Sequence, residues 1–324
     1  MSDLEKLKPG VYLNDCLIDF KIFHILLNLP PEKRDATHSL GSRFYYSLQL
    51  ARKEPDKYKK LVRNSLKSVN IFTKDFILMP LNVIDSMHWS LCIIVRPLLF
   101  IFHHFICNED KIKYLSNCEG NQHRGCILHM NSYPGTHSST LISEDVKQIL
   151  CDFWILLQGR KDFSASVNTY YHSRGLTVDD DTVDIFGLIN KKLNTCVDDK
   201  RSFDSYPFIV CKVPCQSNGY DCGIYTLKFV ECIMAIELST REEDIARDLI
   251  DQVHADMFVH EESVQYRIDL LNTLTCMAPE YAVWKQSHPS YANEDEVEII
   301  ETADSNEGIR NTRSSPDRLQ KKVN

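Results

Sequence analysis

The run Pro214-Cys215-Gln216-Ser217-Asn218-Gly219-Tyr220-Asp221-Cys222-Gly223-Ile224-Tyr225 decides how the rest of the chain is read. Ser217, Asn218 and Gly219 favour a turn, since glycine tolerates left-handed backbone and asparagine bonds its own backbone two residues on. Beyond Gly223, residues Ile224, Tyr225, Leu227, Phe229, Val230 and Ile233 make an apolar, helix-capable segment. The pattern predicts that Cys222 lies at or near a helix N-terminus. Unpaired backbone N–H groups and the positive dipole end favour a thiolate there. Gln216, six residues earlier, is placed to aim an amide N–H at an oxyanion formed when Cys222 attacks a carbonyl. Without a histidine base the same cysteine reads as a buried, inert thiol under a turn.

The strands ahead of this run offer the base. Phe76 to Leu81 and Trp89 to Val95 are rich in branched and aromatic residues and read as buried strands. His88 stands where the second strand begins. A histidine at a strand end is ordinarily structural or solvated; with Cys222 as partner it becomes the preferred base. Cys126 to Ser132 reads as a further strand ending at the turn Tyr133-Pro134-Gly135, and Phe208 to Val213 as the strand that leads into the opening motif.

Helices fill the rest. Asn14 or Asp15 caps a helix that carries Leu17, Ile18, Phe20, Ile22, Phe23, Ile25 and Leu26, and Pro30-Pro31 ends it. A helical piece follows around Phe44 to Leu48. Residues 52–67, rich in Lys and Arg, read as a solvated helix face ahead of a binding patch. Further helices are expected over about 141–157, from Cys222 to about Ala235, and over about 243–257 and 263–274. Two stretches look inserted, about 96–125 and the polar, acidic 159–205. The first holds the apolar run Leu98 to Cys107, too short for the roughly 20 residues that span a bilayer. Its His103, His104, Cys107, Cys118 and His123, with Cys126, fit no zinc spacing, so no metal is expected.

A net charge of −8 disfavours nucleic acid as the main partner. The charged start Met1 to Lys6 lacks the apolar core of a signal peptide, so the 12 scattered cysteines are expected to be reduced thiols.

Together, His88-Trp89 on a strand, Asn131-Ser132 ending the next, and Gln216 to Gly223 resemble the ubiquitin-like-protein-specific (SUMO/sentrin-specific) cysteine proteases. The resemblance runs from about Gly10 to Leu274. It includes Tyr12 to Asp15, Ser42 to Tyr46 and Val69 to Phe72. Insertions on both sides of the Asn131 strand, and the strand Cys126 to Met130 itself, resemble the branch that edits SUMO chains. The resemblance implies an α+β, papain-like cysteine protease fold with a central mixed sheet and the nucleophile at a helix N-terminus. It implies a catalytic set of Cys222, His88, Asn131 and Gln216, and substrate-binding roles for Trp89, Tyr12, Asp15 and Gly219. It further implies cleavage after the Gly-Gly of SUMO, no cofactor, SUMO and SUMO-conjugated proteins as partners, a monomer without nucleic acid or membrane, and a nuclear, or also cytoplasmic, location.

Asn131 stands where the family triad has aspartate, and Ser65 where it often has Trp. An amide orients a histidine without giving its imidazolium a full counter-charge. A protease for another modifier, of the NEDD8 type, and a catalytically weak SUMO-binding module therefore stay open as alternatives. Residues 1–285 are expected to form the catalytic domain and 286–324 a disordered tail. In that tail Val297, Ile299 and Ile300, flanked by acids, resemble a SUMO-interacting motif that adds as a strand to its partner.

Overall fold

The computed structural model describes residues 3–105, 125–173, 206–236 and 245–288. The chain divides into two units, Met1–Thr275 and Cys276–Asn324. Helix α1 (Asp15–Leu27) starts where Asn14 accepts from the Leu17 N–H at 3.1 Å, the cap its short side chain suits. Pro31 opens the short α2 (Pro31–Asp35), at the one position where a missing N–H is harmless. Strand β1 (Thr37–Ser39), α3 (Arg43–Ala51) and α4 (Pro55–Ser65) follow. Helix α4 buries only Val62 and leaves Lys57, Lys59, Lys60 and Arg63 exposed, which is the solvated basic face.

Next come β2 (Phe76–Asn82), β3 (Trp89–Val95), α5 (Pro97–Phe105), β4 (Cys126–Met130), α6 (Ser139–Leu157), α7 (Phe163–Ser173) and β5 (Phe208–Val210). Helices α8 (Cys222–Ala235), α9 (Ile245–Gln252) and α10 (His260–Cys276) complete the first unit, and α11 (Ala278–Ser287) is the described helix of the second.

The five strands form one mixed sheet in sequence order, parallel at β1/β2 and β4/β5 and antiparallel between. Pro80 is tolerated inside β2 because β1 pairs only as far as Leu78, so no neighbour needs the N–H that proline lacks. Every residue of β3 is buried, as expected of a strand covered on both faces. Ile77, Met79, Leu81, Cys92, Ile94 and Ile127 face a core filled from α3 to α7. The helix that begins at Cys222 lies against β3, and α1 lies on that helix.

Both stretches that look inserted begin as core. Leu98, Leu99, Phe100 and Ile101 of α5 are essentially inaccessible, and Phe100 meets Tyr206 edge to face at 5.5 Å. Burial is the physical job of that apolar run. In α7, Phe163, Val167 and Tyr170 join the same core, so polar composition from residue 159 onward conceals a packed helix. Cys107, Cys118, His123, the Asp179 to Asp181 run and the tail motif lie outside the described residues. No described helix is long and apolar enough to cross a membrane, and no described cluster of His, Cys, Asp or Glu could hold a metal.

Candidate active site

Cys222 is the first residue of α8 and fully buried. Burial pushes its thiol up, while the N–H groups of Trp89, Gly223 and Cys222 itself pull the other way. The helix N-terminus therefore acts as expected, though desolvation is the larger effect. The Trp89 N–H links this sulfur to the strand that carries His88.

Asp221 occupies the N-cap position, where an aspartate ordinarily accepts from the first helical N–H groups. Its carboxylate makes no such bond. Arg267 of α10 takes Oδ1 at 2.6 Å and 3.0 Å, and Asn218 donates to Oδ2 at 2.7 Å. The N–H groups at the start of α8 are thus left without a carboxylate cap. Arg267 also donates to the carbonyls of Lys6 and Lys8, so one guanidinium ties the N-terminal segment to the nucleophile. Gly223 is required by contact: a Cβ there would fall 2.9 Å from Leu13 Cβ. Trp89 Nε1 donates to the Leu13 carbonyl at 3.0 Å and fastens the same segment from the other side.

His88 is buried and its Nε2 meets Asn131 Oδ1 at 2.8 Å. Asn131 Nδ2 donates to Thr136 Oγ1 at 3.2 Å, which fixes which end of the amide faces the ring. With Oδ1 as acceptor, Nε2 carries the proton and Nδ1 keeps its lone pair for a thiol. Burial lowers the imidazole from its ordinary value and the Asn131 bond raises it less. Burial thus displaces the two groups in opposite directions, the thiol upward and the imidazole downward.

Ser132, next to Asn131, holds Gln216. Its hydroxyl donates to Gln216 Oε1 at 2.7 Å and its carbonyl accepts the Gln216 N–H at 2.9 Å. Gln216 Nε2 gives one hydrogen to the Asn218 carbonyl at 2.6 Å and holds a second. The dipeptide Asn131-Ser132 thus contacts both His88 and Gln216.

Of the other sequence-predicted residues, Trp89 is buried, while Tyr12, the residue before Leu13, is two-fifths exposed. Gly219 is exposed with open space around it, so packing does not demand its glycine. Asp15 ion-pairs with Arg43 Nε and accepts from the Cys16 N–H at 3.0 Å. Sequence reasoning missed Arg267. Its signal is the spacing Ser263, Arg267, Leu270, Leu274, the buried stripe of α10, because an arginine on such a stripe needs an acid.

Residues 12–269 match the model of the Ulp1 protease family, C-terminal catalytic domain. A probable ubiquitin-like-specific protease 2B of Arabidopsis thaliana is 24% identical over 239 residues, covering 72% of this chain and 20% of that protein. Sentrin-specific protease 7 of Mus musculus is 28% identical over 292 residues, covering 78% of this chain and 27% of that protein. The chain thus spans only about a quarter of the length of these relatives. Among solved structures, the C-terminal Ulp1 protease domain in complex with SMT3, the yeast ortholog of SUMO, is similar at 19% identity and a TM-score of 0.42, covering 85% of this chain and 82% of that one. So loose a likeness says nothing about the site.

Proposed function

This chain belongs to the Ulp1 protease family, and on that premise we propose that it is a SUMO-specific cysteine isopeptidase. It cleaves after the C-terminal Gly-Gly of SUMO and edits poly-SUMO chains. The observation that carries the reading is the 2.8 Å bond from His88 to Asn131 on the strand whose Trp89 N–H reaches Cys222.

Cys222 gives its proton to His88 and its sulfur bonds to the glycine carbonyl carbon. The oxygen takes up the negative charge and is met by the Cys222 N–H and the second hydrogen of Gln216 Nε2. Collapse of this intermediate breaks the C–N bond, and His88 protonates the leaving lysine amine. Water, deprotonated by His88, then releases the modifier from the thioester. Trp89 and Tyr12 cover a channel that admits only glycine, and exposed Gly219 lets the substrate backbone pass close. No metal or organic cofactor is needed. The enzyme acts as a monomer in the nucleus, with residues 1–285 as its catalytic domain. The tail residues Val297, Ile299 and Ile300, outside the described residues, recruit a second SUMO and favour chains over single conjugates. Unchanged poly-SUMO cleavage by Ile299→Ala with Ile300→Ala would remove that role.

SUMO, NEDD8 and ubiquitin carrying C-terminal electrophiles test the assignment, with Cys222→Ser as control. A Cys222-dependent adduct with SUMO alone is the expected outcome. An adduct with NEDD8 instead moves the chain to that modifier, and SUMO binding without an adduct makes it a binding module.

A further inference from the structure

Behind His88 runs a line of hydroxyl and imidazole groups that the cleavage steps above do not use. Ser139 Oγ lies 3.2 Å from His129 Nδ1, and His129 Nε2 lies 3.1 Å from Ser90 Oγ. Ser90 Oγ is 2.8 Å from His137 Nδ1, and His137 Nε2 is 3.0 Å from Ser86 Oγ. Ser86 Oγ ends the line 2.8 Å from the Val83 carbonyl. Ser90, His129 and His137 are buried.

One atom sets every proton in this line. The Val83 carbonyl can only accept, so the single hydrogen of Ser86 points to it. Ser86 Oγ must then accept from His137 Nε2–H, which leaves His137 Nδ1 to accept from Ser90. Ser90 in turn accepts from His129 Nε2–H, and His129 Nδ1 accepts from Ser139. Both rings are neutral, both carry hydrogen on Nε2, and every bond points the same way. A second proton on His137 would set two hydrogens against each other at Nδ1, because Ser90 already accepts from His129.

The line reaches the base in two ways. The His137 ring stands edge-on to the His88 ring at 4.9 Å. Val83 and Ser86 belong to the turn before His88, where Asp85 and Met87 hold left-handed backbone at φ 66° and 43°. Such backbone in non-glycine residues is strained and persists only where surroundings enforce it. The Ser86 bonds supply that enforcement.

We propose that the chain Ser139–His129–Ser90–His137–Ser86 positions His88, fixing the turn that carries it and keeping the adjacent imidazoles uncharged so that the catalytic proton goes to His88. The proposal rests on His88 being the base. Among the described residues, the titratable groups facing His137 are His88 and His129, and those facing His129 are His88, His137 and Cys211. Burial holds His129 at about 4 and His137 at about 3. Cys211, whose N–H bonds the His129 carbonyl at 2.9 Å, has its thiol pushed up to about 12 and adds no charge.

The test needs no substrate. Alkylation of Cys222 by iodoacetamide is followed against pH by mass spectrometry of its peptide, in the parent, His88→Ala, Ser90→Ala and Ser86→Ala. Exposed Cys215 reports reagent strength, and buried Cys16, Cys92 and Cys126 report loss of the fold. The expected result is that Ser90→Ala slows Cys222 about tenfold near pH 6, a shift of about one pH unit. Ser86→Ala acts in the same direction, and both converge on the parent where any thiol ionises unaided. Rates within twofold of the parent for both variants, while His88→Ala abolishes the low-pH reaction, would overturn the role of the chain alone. A parent profile that His88→Ala leaves unchanged would overturn both this role and the assignment of His88. Alkylation of the buried thiols in Ser90→Ala passes the decision to Ser86→Ala, whose side chain is only half-buried.

Discussion

On the nucleophile side, Asp221 and Arg267 form a buried ion pair next to Cys222, and that pair reaches from α8 to α10 and to residues 6 and 8. On the base side, His88 meets an amide, a tyrosine ring at 6.4 Å and a run of neutral hydroxyls and imidazoles. Fixed charge thus serves the scaffold where the nucleophile must be held, and is absent where a charge must come and go. The difference also explains what Asp221 does not do. Drawn off by Arg267 and Asn218, its carboxylate leaves the helix N–H groups uncapped, in the place where an oxyanion needs donors. The base side, in exchange for its neutrality, offers among the described residues an amide and not a carboxylate to the imidazolium that the proposed mechanism forms on His88.

The sharpest way to break this contrast is Arg267→Ala. It strands a buried carboxylate, with an expected loss of about 3–5 kcal/mol in denaturant unfolding. It also frees Asp221 to cap α8, so the folded fraction should turn over more slowly. A variant that unfolds like the parent would show that the pair is not a fastening. Gly223→Ala comes second, at about 1–3 kcal/mol, because Leu13 Cβ must retreat from 2.9 Å. Gly223→Ala combined with Leu13→Gly should lose less than the two single losses added together.

On the base side, Asn131→Asp supplies the missing charge. It should raise kcat/KM about tenfold and move the limb of the pH–rate profile set by His88 upward by about one unit, since a carboxylate favours the charged imidazole. A pH–rate profile that stays in place, with no gain in rate, would contradict the view of Asn131 as the weak member. The smallest effect near neutrality is on acid stability. His137 is held at about 3 against an ordinary 6.5, so the unfolded chain binds a proton that the folded one refuses. This contribution is complete above about pH 6.5 and is lost as pH falls towards about 3. In His137→Gln the dependence of unfolding free energy on pH across that window should flatten by roughly 1.4 kcal/mol per pH unit.

How far each side could be read from sequence follows from how its residues are arranged. Turn, nucleophile and helix lie within the twelve residues from Pro214 to Tyr225, so local propensity placed Cys222 at the start of α8. His88 was legible because it adjoins a long buried strand. The partners of His88 were less so: Asn131 was found by resemblance, while Ser90, His129 and His137 look in sequence like ordinary strand and loop residues. Composition misdirected at α5 and α7, where position in the chain suggested insertion and packing made core.

The sequence by itself determined the chemistry, a cysteine at a helix N-terminus, a histidine at a strand end and a glutamine ahead of a turn, because each depends on local backbone preference and side-chain type. Only the tertiary structure decided that Asp221 is a strut and not a cap, that Gly223 is dictated by Leu13, and that His129 and His137 stand in line behind His88. Those outcomes depend on distance between residues 39 to 210 positions apart, as in Ser90 with His129 and Leu13 with Gly223. Local propensity carries no information across such separations, and the energy of a buried polar group is set by the partner that folding brings to it.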